Sequence, residues 1–146
     1  MPGRRDHLRV SIPVGTLAAV LAAGDHRGMA SALGGAIGGW VGGMAPDVLE
    51  PATSGHHRDF AHSVAGGALF LNPSLFALAT QWREKGEALE NAASAMDDAV
   101  PERENLLFRA FALHFAAGAL VGFLAGYVSH LVLDATTPRG IPLLGQ

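Results

Sequence analysis

The sequence predicts an all-α protein: a four-helix transmembrane bundle with an additional amphipathic helix between the third and fourth apolar helices. Three observations predict it. The apolar residues gather in four runs that are too long for strands and show no alternation of period two. Hydrophobic residues make up 49% of the chain and charged residues only 16%, a balance suited to helices that face lipid. Many of the 19 glycines lie inside the apolar runs, and several repeat at intervals of four. In a water-exposed helix each such glycine costs up to about 1 kcal/mol relative to alanine, whereas in lipid it lets helix backbones approach closely. The 146 residues are read as one helical, membrane-associated, metal-site domain spanning 1–146.

The N-terminal stretch MPGRRDHLRVSIPVG has the basic start of a signal peptide. Asp6 and His7 interrupt its basic part and Pro13 its apolar part, so it is read as retained. The first apolar run extends from about Val10 to Ala23. The second, Met29 to Ala45, contains GGAIGGWVGG, where Gly34, Gly38 and Gly42 form one GxxxG series and Gly35, Gly39 and Gly43 another. The third runs from His62 to Thr80 and the fourth from about Leu106 to Ala135. Only these last two approach the roughly 20 residues that span a bilayer unaided. Between them lies QWREKGEALENAASAMDDAVPEREN, whose apolar residues recur at helical spacing and which stops before Pro101, as an amphipathic helix would. The fourth run carries Gly118, Gly122 and Gly126. These glycine-rich faces are available to partner helices, so a homo- or hetero-oligomer is expected through them. A soluble bundle that packs its apolar faces on sister subunits is the alternative to a membrane protein.

The net charge of −3 offers no field for a phosphate backbone, which argues against nucleic acid as a partner. The absence of cysteine removes disulfides and thiolate metal ligands. A metal would have to be held by His, Asp and Glu.

Those residues are concentrated. GHHRDFAHS places His56, His57, Arg58, Asp59 and His62 within nine positions, where a connecting loop needs only turn residues. In the fourth helix, His114, Gly118, Gly122, Gly126, His130 and Asp134 are spaced by four throughout. Since a step of four advances about 40° around a helix, His130 and Asp134 share a face, as a ligand pair or as an imidazole oriented by its carboxylate. If all four apolar segments cross, the N-terminal tail, the loop from Pro46 to Ala61 and the C-terminal end meet on one side. His7, Asp47, His57, His62, His130 and Asp134 then become six candidate metal ligands at one end, with His26 and His114 at the other. Simpler readings stand beside these: a capping region for His62 and Ser63, a turn for Asp47, a solvated tail for His7, and a plain loop neighbour for His56.

PDVLEPATSGHHRDFAHS followed by GYVSHLVLDATTPRGIPLL resembles the YdjM-like family of predicted bacterial inner-membrane metal-dependent hydrolases, and the resemblance covers nearly the whole chain. The family pattern has an early His, a Pro-Asp-x-Asp-His segment, a His-Arg-Gly-x-Thr-His-Ser segment and a late Ser-His-x-x-x-Asp followed by Thr-Pro and Gly. Here it is carried by His57, Arg58, His62 and Ser63, then by Ser129, His130, Asp134, Thr137, Pro138 and Gly140, with His7 matching the early histidine. Leu49 and Glu50 stand where the pattern has Asp and His. One ligand is thereby lost and another replaced, so the site holds one ion with a full ligand set, or two with a thinner one.

The resemblance implies a multi-pass inner-membrane metal-dependent hydrolase, and the helices bearing His and Asp also look like those of zinc-dependent phospholipase C and the related nucleases, a fold-level analogy that points to a phosphoester or lipid-borne ester. Imidazoles and carboxylates without thiolates suit Zn²⁺ first and Mn²⁺ or Fe²⁺ next, and such an ion lowers the pKa of bound water toward about 7. Arg58 would stabilise charge on a phosphoryl oxygen, and Glu50 would act as general base or substitute ligand. Membrane lipid is the expected partner. Counting Lys and Arg gives five on each side of the membrane, and the arginines beside the first helix favour a cytoplasmic site. The alternative function is a non-catalytic small membrane subunit of a larger assembly with a structural metal.

Overall fold

A computed structural model describes residues 4–24, 28–51 and 60–136. The described chain is helical, in the order α1 (Arg4–Ala23), α2 (Gly28–Leu49), α3 (Val64–Phe70), α4 (Pro73–Ser94) and α5 (Pro101–Ala135), and contains no strand among the described residues. Four of these helices are long, and α1, α2 and α4 all pack on α5.

The glycines explain the packing. Residues i and i+1 lie about 100° apart around a helix, so the two GxxxG series of α2 face two different neighbours. A Cβ on Gly34, Gly38 or Gly42 would overlap the backbone carbonyl of Phe115, Ala119 or Phe123 of α5, respectively. On the adjoining face, Gly35, Gly39 and Gly43 meet Gly15, Ala19 and Ser11 of α1. The α5 glycines reciprocate: Gly118, Gly122 and Gly126 lie against the backbone of Ser31, Gly35 and Gly39. Sequence reasoning offered these seams to partner helices. In the described chain they are filled by its own helices, three of which meet around Gly15, Gly39 and Gly122.

Helix ends follow local rules. Gly24, at φ +70°, supplies the left-handed residue that ends α1, and the Arg83 guanidinium of α4 donates to the Ala22 carbonyl in its last turn. Pro46 lies inside the last turn of α2, which closes with the Glu50 N–H donating to the Pro46 carbonyl at 2.9 Å. Pro101 opens α5 at its first turn, where a missing N–H costs nothing.

The partition of the third apolar run differs from the expectation. Residues His62 to Thr80 do not form one helix: α3 stops at Phe70, and α4 starts at Pro73. Asn72 caps the new helix by accepting the Ser74 N–H at 2.9 Å, and Pro73, which has no N–H and clashes with a preceding turn, takes its first position. Of the amphipathic segment, residues 81–94 form the second half of α4 and residues 101–105 open α5. The boundaries of the first two runs also extend, α1 beginning at Arg4 and α2 reaching Leu49.

Among the described residues, one helix, Pro101–Ala135, is long and apolar enough to cross a membrane. Its 35 residues extend about 52 Å, well beyond a hydrocarbon core of about 30 Å.

Candidate metal centre

Three helices and a turn deliver the candidate ligands to one end of the bundle. His7 comes from the start of α1, Asp47 from the last turn of α2, and His130 and Asp134 from the last turns of α5. His62 sits in the tight turn before α3. That turn is held by Ser63, whose hydroxyl donates to the Phe60 carbonyl at 2.6 Å and accepts the Gly66 N–H at 3.0 Å. Tyr127 of α5 fixes the same turn by donating its hydroxyl to the Ala61 carbonyl.

The ring nitrogens and carboxylate oxygens converge closely. His62 Nε2 lies 3.4 Å from Asp47 Oδ1 and 3.8 Å from Asp134 Oδ2. His130 Nε2 lies 3.7 Å from Asp47 Oδ1 and 3.5 Å from Asp134 Oδ2. On the other side of the same carboxylate, His7 Nε2 is 3.7 Å from Asp134 Oδ1, and its ring stacks on His130 with centroids 3.8 Å apart. His7, His130 and Asp134 form one group able to hold a metal ion, and Asp47, His62 and His130 form a second. His7, His62, His130 and Asp134 are all buried; among the described residues of the cluster Asp47, with its side chain 35% exposed, is the one open to solvent.

Partners outside the cluster decide how the imidazoles present themselves. His130 Nδ1 lies 2.7 Å from the Gly43 carbonyl, an acceptor only, so Nδ1 carries the proton. The Nε2 of the neutral ring is then a lone pair, buried without a hydrogen bond and directed at two carboxylates. That contact is repulsive unless a cation occupies it, whether a proton or a metal. His62 is arranged in the same way: its Nδ1 lies 3.1 Å from Glu50 Oε2, leaving Nε2 toward Asp47 and Asp134. Burial works to lower the His62 pKa, but the Asp47 and Glu50 carboxylates outweigh it and hold the value above the usual 6.5. Burial works to raise Glu50; the Ala61 N–H, donated to Oε1 at 2.6 Å, and the His62 ring outweigh it, leaving Glu50 below the usual carboxylate range.

Of the sequence-derived site residues, the structure brings together His7, Asp47, Glu50, His62, His130 and Asp134. Glu50 lies behind His62, with both oxygens engaged by His62 and Ala61. His57 and Arg58 lie outside the described residues, as do His56, Thr137, Pro138 and Gly140. Sequence reasoning missed the Gly43 carbonyl and Tyr127. Tyr127 is the chain's single tyrosine, three residues before His130, which was a usable signal. The Gly43 carbonyl had none, because any residue carries one.

A family model described as YdjM inner membrane protein matches residues 1–145. The chain belongs to the YdjM family. No curated protein and no solved structure matches it. For this YdjM protein the family description gives the inner membrane, and the long apolar α5 is the element suited to it.

Proposed function

We propose that this YdjM protein is a membrane-bound, metal-dependent hydrolase that cleaves a phosphoester or lipid-borne ester. One observation carries the reading. Four distances of 3.4 to 3.8 Å link the Nε2 atoms of His62 and His130 to oxygens of Asp47 and Asp134. Ligand atoms around a tetrahedral ion with bonds of about 2.1 Å stand roughly 3.4 Å apart. The donor set is nitrogen and oxygen without sulfur, which suits Zn²⁺ first and Mn²⁺ or Fe²⁺ next. His7, on the far oxygen of Asp134, would complete the sphere of one ion or belong to a second.

A bound divalent ion would supply Lewis acidity and an activated water. The chain's own residues do the rest. Gly43 and Glu50 fix the proton of each imidazole on Nδ1, so that both rings present Nε2 to the same point. Because Glu50 is occupied by His62 and Ala61, it serves this reading as a positioning residue rather than as general base. Asp47, at the exposed edge, is where substrate would approach. Arg58 is assigned to the charge that grows on a phosphoryl oxygen. Hydrolysis adds water across the ester: its oxygen bonds to phosphorus, the bond to the leaving alcohol breaks, and the proton goes to that alcohol. In the membrane, α5 crosses with α1 and α2 beside its C-terminal half, and the cluster faces the cytoplasm.

The burial of four of the five groups favours a second reading, a closed structural metal in a non-catalytic subunit. Purified protein should bind about one divalent ion per chain and hydrolyse a phosphodiester only when metal is present. His62→Ala and Asp134→Ala should abolish both. Stoichiometric metal without turnover on any ester would leave the structural reading ahead, and no metal at all would end both.

A further inference from the structure

An apolar groove runs along the C-terminal half of α2. Trp40, Val41, Met44, Ala45, Val48 and Leu49 line it, with Phe123 of α5, around a volume of about 340 Å³. From Trp40 to Leu49 it covers ten residues of helix, nine rises or about 14 Å, close to the 15 Å or so of one leaflet's hydrocarbon. Its upper end is formed by Val48 and Leu49, between Asp47 and Glu50. A second apolar groove, lined by Val14, Val128 and Val132 among others, has a volume of about 470 Å³. That groove's lining includes Ser129 and Leu133, the sequence neighbours of His130 and Asp134, and there His7 and Asp134 are 4% and 3% exposed. Among the described residues, the α2 groove ends beside the half-open Asp47, which precedes Val48 in the chain. An amphiphile has that form: a tail in the trough and a polar group at the carboxylate and its cation.

We infer that the α2 groove seats one acyl chain of a membrane phospholipid, with the phosphate-bearing headgroup at the Asp47 edge of the cluster. The inference rests on the hydrolase reading for the headgroup's fate but not for its binding, and it specifies the substrate as an intact, bilayer-resident phospholipid that enters sideways from the membrane.

The test reads binding without turnover. Full-length protein in phospholipid nanodiscs would carry a small fraction of phosphatidylglycerol with a photoreactive diazirine in one acyl chain. After irradiation, adducts would be mapped by peptide mass spectrometry and metal content measured on the same sample. The expected result is labelling concentrated on Trp40–Leu49 and on the peptide containing Phe123, saturable and competed by unlabelled phosphatidylglycerol. Ala45→Trp, which fills the groove, should reduce it at least fivefold with metal content unchanged. If Ala45→Trp loses its metal, the exposed-face pair Val41→Ser and Val48→Asn replaces it under the same criterion. Labelling spread equally over Val14, Val128 and Val132, or unaffected by the groove substitutions in metal-replete protein, means a lipid annulus only and overturns the inference. Selective labelling without hydrolysis sinks the hydrolase reading and keeps the groove; hydrolysis with even labelling does the reverse.

Discussion

At the scale of single residues, the cluster is governed by what stands behind each imidazole. Glu50 holds the Nδ1 proton of His62, so Glu50→Gln should weaken metal affinity by roughly 10- to 100-fold while the fold persists; competition with a chromophoric chelator measures the first and circular dichroism the second. Protons compete with metal for the same lone pairs. Because the pKa of His62 is raised above 6.5, metal affinity should begin to fall at a higher pH than for a free imidazole as the solution is acidified. The sign reverses for the metal-free protein. There protonated His62 contributes stability that is fully present below 6.5 and is lost as pH rises through its raised value. Metal titrations and melts across pH 5 to about 9 check both arms. The clustered groups themselves were legible in the sequence, since imidazoles and carboxylates stood out in an apolar chain. Their orienting partners were not, because a main-chain carbonyl leaves no mark on the sequence.

At the scale of elements, the α2 seams set the tolerances. Gly38→Leu would drive a side chain into the Ala119 carbonyl and Gly122→Leu into Gly35. Backbone cannot retreat as a flexible side chain can, so each should cost about 3 kcal/mol or more and weaken any metal binding, as followed by thermal melts and metal content. A Cβ at Gly28 meets nothing within 4 Å, so Gly28→Ala should be silent apart from helix propensity. Gly86 is an intermediate case. A Cβ there would come within 2.8 Å of the buried His114 ring, which also faces Glu90 at 3.2 Å, so Gly86→Ala should cost about 1–3 kcal/mol by overpacking. The number of long helices was readable from the apolar runs. The break at Leu71–Asn72 was missed because hydropathy continues smoothly through LFLNPSLF, whereas the Asn-Pro pair carries the punctuation. Asn72→Ala should cost about 1 kcal/mol, the usual value of a lost N-cap.

At the scale of the whole molecule, the metal would tie together what the chain keeps apart. His7 and Asp134 are separated by nearly its full length, and Asp47 and His62 lie between them in sequence. A cation bound only by the folded arrangement adds its binding free energy to stability, so chelation should lower the melting temperature, by about 2.7 kcal/mol of lost stabilisation if free metal stood at 100 times its dissociation constant. Removing metal from His62→Ala should change little further. The convergence of tail, middle and last helix followed from the sorting of histidines along the chain. The triangular arrangement of α1, α2 and α5 did not, since spacing by four identifies a seam without naming its partner. The hydrogen bond from His130 to the Gly43 carbonyl has a genetic consequence. No codon change at position 43 can delete that acceptor, so its loss requires displacing an entire helix, whereas the tether of His62 can be cut by one nucleotide substitution in the codon for Glu50. Variation accumulating in this protein should therefore detune the two histidines unequally, with His62 the more evolvable half of the pair.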